Sequence, residues 1–101
     1  MDNIFDYELP EIGSEDFYTH LVSKNVEIKT IISNRVKIPQ VFVSEYDEWV
    51  VVLKGCAKIE MGGVVYKLKK GESMFIPSNT KHTLLKTRQV VEWLAVCIKE
   101  G

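Results

Sequence analysis

The sequence predicts an all-β fold, a closed barrel or jelly roll preceded by an N-terminal arm and one short helix. Three observations predict it. From residue 26 to residue 98 the chain keeps a period-two pattern, broken at short intervals by turn residues. Gly62-Gly63 lies between two such runs, and a two-residue hairpin loop needs the positive φ that glycine adopts freely. The run Glu48-Trp49-Val50-Val51-Val52-Leu53 is apolar on both faces after its leading acid, as in a strand covered on both sides. Some eight short strands with one helix before them argue for a closed all-β architecture rather than an α/β fold.

Taken in order, residues 1–13 contain Pro10 and Gly13 and no sustained period. Their apolar members, Ile4, Phe5, Tyr7, Leu9 and Ile12, are too many for a solvated tail, so the arm is expected to pack across a sheet. Ser14 is placed to cap a helix, Glu15 and Asp16 suit its first turn, and Phe17, Leu21 and Val22 share one stripe, which predicts a helix over 15–24. Strands follow over 26–32, 41–43, 48–54, 56–61, 64–68, 73–76, 81–87 and 90–98. Turns are expected at Ser33-Asn34, Lys70-Gly71 and Pro77-Ser78-Asn79, and Pro39 restricts its segment to an edge or a strand start. The chain is thus read as a single domain, with 1–25 an arm and helix packed on a barrel and 26–101 the barrel itself.

Strand alternation sorts the faces. With Glu48 inward, Val50 and Val52 also point inward, and Trp49, Val51 and Leu53 point outward. The last strand repeats this, with Val91, Trp93, Ala95 and Cys97 on one side and Leu94, Val96 and Ile98 on the other. Covering such aliphatic side chains is worth about 1.5–3 kcal/mol each. The arm, another sheet or a second copy of the chain covers the outer face, and a homodimer is the preferred expectation.

The bulk numbers exclude several classes. A length of 101 residues suits one domain. The formal net charge of -1 supplies no reason to expect nucleic acid or an anionic membrane as partner. Lys67, Lys69 and Lys70 form a basic cluster that reads as a solvated hairpin end. No apolar run approaches the ~20 residues that span a bilayer. The acidic start lacks the basic and apolar regions of a secretory signal, so a cytoplasmic location is expected, with Cys56 and Cys97 as reduced thiols.

Residues 48–55 and 71–82 carry a resemblance. Glu48 is followed after six residues by Gly55; Gly71 is followed after five residues by Pro77, with His82 five residues beyond. The chain resembles the cupin superfamily of small β-barrels over roughly residues 26–98, which implies a cupin-type double-stranded β-helix. Metal-binding members of that family place a His-x-His pair three or four residues before the glutamate. Here those positions hold Phe42 and Ser44, or Val41 and Val43. Asn79 stands where the family has a glycine, and Lys86 where it has an asparagine. The resemblance therefore leaves Glu48 and His82 as the candidate metal ligands, for a possible divalent ion. His20, or Glu45, Tyr46 and Asp47, are the other side chains that could complete such a site.

Three functions remain open at this point. The first is a small-molecule site in the barrel mouth, lined by Phe42, Val50, Val52, Met74 and Leu84 with Ser44, Glu48 and His82 as its polar groups. The second is an enzyme in which Glu48 and His82 act as an acid–base pair, or assist a recruited metal, in isomerase or oxygenase chemistry. The third is a non-catalytic dimerisation module.

Overall fold

The computed structural model describes residues 3–99, and these form nine strands and no helix. They are β1 (Glu15–Val22), β2 (Val26–Asn34), β3 (Gln40–Phe42), β4 (Asp47–Lys54), β5 (Cys56–Met61), β6 (Val64–Lys69), β7 (Ser73–Ile76), β8 (His82–Leu84) and β9 (Val90–Ile98). The strands form a five-stranded sheet of order β1-β2-β9-β4-β7 and a four-stranded sheet of order β3-β8-β5-β6. All the strand pairs are antiparallel. The core lies between the sheets: Val50, Val52, Val91, Trp93 and Ala95 from the first sheet share one buried cluster with Ala57, Ile59, Leu68 and Leu84 from the second.

The first sheet corrects the helix expected over 15–24. Those residues form β1, which pairs antiparallel with β2, and the expected cap Ser14 instead accepts the Asn34 N–H through its carbonyl at 3.0 Å. The physical reason is the free edge of β2, which offers a full ladder of hydrogen bonds to a segment rich in Phe, Tyr, Thr and Val. The stripe at Phe17 and Leu21 misled because their spacing fits a helix. In the strand, a register shift between Thr19 and Leu21 moves the two residues to opposite faces. His20 occupies that irregularity, with Nε2 2.7 Å from the Thr30 hydroxyl.

The strand expected over 81–87 stops at Leu84. Beyond it the chain leaves the ladder, the Leu85 N–H donates to the Lys58 carbonyl at 2.9 Å, and buried Thr87 accepts the Val36 N–H on its hydroxyl at 2.8 Å. Gly55 closes β4. Its φ is +81°, and an added Cβ would lie 2.5 Å from the Val90 carbonyl oxygen, so only glycine fits where β4 leaves the sheet beside β9.

The facing of β4 and β9 follows the alternation: Val50, Val52, Val91, Trp93, Ala95 and Cys97 are buried, and Trp49 is 39% exposed. A shift between Val52 and Lys54 makes Leu53 the irregular residue and sets Lys54 opposite Glu92. The arm is tied to the first sheet where Asn34 Nδ2 donates to the Pro10 carbonyl at 2.7 Å and the Tyr18 hydroxyl donates to the Glu8 carbonyl at 3.4 Å. Phe5, Leu9 and Ile12 of the arm nevertheless stay exposed.

Candidate ligand-binding site

β3, β4 and β8 deliver the central side chains. Phe42 of β3 pairs in register with His82 of β8, which sets their rings side by side, with centroids 5.9 Å apart and planes 26° from parallel. Glu48 of β4 lies between Ile76 of β7 and Cys97 of β9. The Cys97 thiol points at the Glu48 carboxylate, Sγ to Oε2 3.8 Å, and burial followed by the charge of Glu48 pushes that thiol's pKa up. Cys97 is therefore a protonated donor at neutral pH rather than a thiolate.

Two backbone ties hold the rim. Asp47 Oδ1 accepts the Ser78 N–H at 2.8 Å, and the Asn79 N–H donates to the Ser44 carbonyl at 2.6 Å. Asn79 adopts the left-handed conformation, φ 56°, that its place in the turn requires. His82 is buried, and its Nδ1 lies 3.1 Å from the Thr80 carbonyl. A carbonyl only accepts, so Nδ1 is the donor in that contact.

These groups meet at a cavity of about 280 Å³ between the two sheets, near the lower end of the ~300–1,000 Å³ usual for small-molecule sites. Of the residues named from the sequence, Phe42, Ser44, Glu48, Val50, His82 and Leu84 line it. Val52 and Met74 do not: Val52 is fully buried in the core, and Met74 packs against that core beside Val50 in the β4–β7 register. The other proposed oxygen ligands are engaged elsewhere or stay out of the lining. Asp47 holds the turn at Ser78, Tyr46 lies under the Lys99 ammonium, and Glu45 is exposed.

Glu15, Phe17 and Lys29 also line the cavity and were not named from the sequence. Glu15 and Phe17 sat in the expected helix. Lys29 sits on the face of β2 that carries Glu27 and Ile31, whose partners Cys97, Ala95 and Trp93 on β9 all point inward. The usable signal was the register: the more polar face of β2 turns inward because β9 presents its own inner residues beside it. Burial raises the Glu15 carboxyl above its ordinary pKa, against the opposing hydrogen bond from Ser33 Oγ at 2.6 Å. The Lys29 ammonium stands 5.8 Å from the centre of the Phe17 ring.

The comparisons with known proteins agree with this frame. The family model described as the cupin domain matches residues 37–97, more than half of the chain. The chain belongs to the cupin family. Among solved structures it is similar to a candidate mannose-6-phosphate isomerase from Ralstonia eutropha JMP134, at 29% identity and TM-score 0.82, over 99% of this chain and 98% of that one. It is also similar to a cupin superfamily protein from Desulfitobacterium hafniense DCB-2, at 13% identity and TM-score 0.73, over 90% and 83% of the two chains. A DMSP lyase from Ruegeria pomeroyi DSS-3 matches at 16% identity and TM-score 0.78, over 85% of this chain and 47% of that one. No curated protein matches the sequence.

A cupin of this kind raises the question of a metal, and the donor set does not fit one. Among the described residues no three His, Cys, Asp or Glu side chains come together as a metal-holding group. Glu48 and His82 are two ligands where catalytic zinc ordinarily takes three from the protein. The place of a third is taken by Phe42, whose ring stacks on His82. No helix of the described residues is long and apolar enough to cross a membrane.

Proposed function

We propose that this cupin binds a small molecule in the mouth of its barrel without a resident metal. The observation that supports the reading is the cavity itself. Apolar walls from Phe42, Val50, Leu84 and Trp93 surround a few converging polar groups, Glu48, His82, Glu15, Lys29 and Ser44, drawn from both sheets. Two carboxyls against one ammonium and one imidazole favour a compact neutral or zwitterionic ligand, hydrogen-bonded at one end and packed on rings at the other. Calorimetric titration with a panel of small polyols, amino acids and aromatic acids tests it. A saturable ligand weakened at least about tenfold by Glu48→Gln or His82→Gln upholds the reading; ligands that bind both variants as well as the parent defeat it.

A second reading is favoured by one further observation. His82 and Glu48 line the same cavity, an imidazole and a carboxyl group of the kind that can move a proton between neighbouring carbons. The Ralstonia eutropha neighbour's description as a candidate isomerase supports that direction. Exchange of substrate C–H for deuterium, present in the parent and absent in both Glu48→Gln and His82→Gln, separates catalysis from binding alone.

The proposal includes a homodimer and a cytoplasmic location. Trp49, Phe75, Leu21 and Ile98 share the exposed outer face of the first sheet, and a second copy would cover them together with Phe5, Leu9 and Ile12 of the arm. Analytical ultracentrifugation decides this, and a monomer at every accessible concentration rejects it. The two free thiols suit a reducing compartment.

A further inference from the structure

A second concavity of about 760 Å³ lies at the opposite end of β3 and β8. The segment before β3, the start of β5, the middle of β6 and the loop after β8 enclose it. Its lining holds Lys37, Lys58, Lys67, Lys86 and Arg88, and no Asp or Glu. The chain has 13 Lys and Arg against 14 Asp and Glu, so this is a segregation of charge within a balanced molecule. All five side chains are exposed, and none forms an ion pair: among the described residues that contact is confined to Lys99 and Glu27.

The arrangement carries an electrostatic cost. Lys58 and Lys67 face each other directly in the β5–β6 register, and like charges opposite one another on paired strands repel. The nearest acid on that face of β5, Glu60, is committed elsewhere, since its Oε1 accepts the Gly63 N–H at 2.9 Å and closes the hairpin. Beneath the cations the lining is apolar, with buried Val36 and Ala57.

We propose that this groove binds a compact polyanion carrying two or more phosphate groups. Four lysines and one arginine line a depression within the ~300–1,000 Å³ range of small-molecule sites, and phosphate oxygens accept the charge-assisted hydrogen bonds that such side chains offer. A bound polyanion relieves the Lys58–Lys67 repulsion, and the apolar floor receives any uncharged portion. A nucleic-acid strand would need cations tracking along a longer path, whereas here they stop at one depression on a chain of net charge -1. The site is separate from the barrel mouth and does not depend on what the mouth binds.

Isothermal titration of the full chain with inorganic tripolyphosphate, ATP and a 20-nucleotide single strand tests the proposal at low and at physiological salt. Saturable binding of tripolyphosphate that weakens with salt, and weakens at least about tenfold in the Lys58→Ser/Lys67→Ser double variant, is the expected result. The Lys24→Ser/Lys81→Ser variant, with the same change in net charge outside the groove, should bind as the parent does, and thermal melts establish that both variants are folded. Equal affinity for ATP and tripolyphosphate means that phosphate alone is read; tighter ATP means that the floor also receives the nucleoside. Equal losses in the two double variants, no saturable binding of either small anion, or tighter binding of the oligonucleotide would overturn the proposal.

Discussion

The two concavities at opposite ends of β3 and β8 solve the problem of charge in opposite ways. In the mouth, Glu15, Lys29, Glu48 and His82 are of mixed sign and set among apolar walls, with Glu15 and Glu48 each taking a hydrogen bond from Ser33 or Cys97. In the groove, five cations stand together with no acid in the lining. Compensated groups can be left half-buried because their partners replace water, whereas uncompensated like charges must stay in solvent or find a counterion. On the readings proposed above, the mouth would select through shape and hydrogen bonds, and the groove through charge.

Substitutions can break or sharpen this contrast, and the largest effect is expected at the mouth. Trp93 lines the cavity while only 4% exposed, so Trp93→Ala removes a wall and core packing together. A loss of about 3–5 kcal/mol in urea unfolding is expected. A loss below about 2 kcal/mol would mean that the cavity closes without its wall. Gly55→Ala acts on both ends at once, because Gly55 joins β4 of the mouth to β5 of the groove. Positive φ and the 2.5 Å approach to the Val90 carbonyl predict a cost of about 2–4 kcal/mol by the same measurement.

Glu92 sharpens the contrast from a third position, as a buried acid in neither concavity. It is fully buried, neither carboxylate oxygen has a hydrogen-bond partner among the described residues, and burial raises its pKa from 4.5 against the opposing charge of Lys54. The folded state holds this proton more tightly than the unfolded state does. Its contribution to stability is thus present below pH 4.5 and is lost as pH rises toward the folded value. Glu92→Gln should flatten that acid-side slope and stabilise the protein at pH 7 by on the order of 1 kcal/mol. An unchanged slope in pH-dependent melts would show that another group carries it. The smallest effect belongs to the groove: Lys58→Ser alone should raise stability at low salt by about 0.2–1 kcal/mol, with the gain vanishing at 1 M salt.

Much of the frame was legible in the chain because period-two patterning and turn chemistry are local. Residues 48–54, 56–61, 73–76 and 90–98 could be read as strands, the first and last of them with their buried faces, and Gly55 and Gly62-Gly63 as their punctuation. The paired motifs likewise pointed to the cupin family and to Glu48 and His82, both of which line the mouth. Where local signals were degenerate, the reading failed. Residues 15–22 satisfy both a helical stripe and a strand, and the open edge of β2 decided between them.

What the sequence by itself determined is the strands from residue 26 onward, the turns at Gly62-Gly63, Lys70-Gly71 and Pro77-Ser78-Asn79, and the inner faces of β4 and β9, since each follows from residues within a few positions of one another. Only the tertiary structure decided which elements face the same space. It turned Lys29 and Glu15 into the mouth, left Val52 and Met74 behind it, and gathered Lys37, Lys58, Lys67, Lys86 and Arg88 from four separate segments around one groove. Pairing between strands distant in sequence is chosen by the joint burial of both sheets, and no local pattern contains that choice.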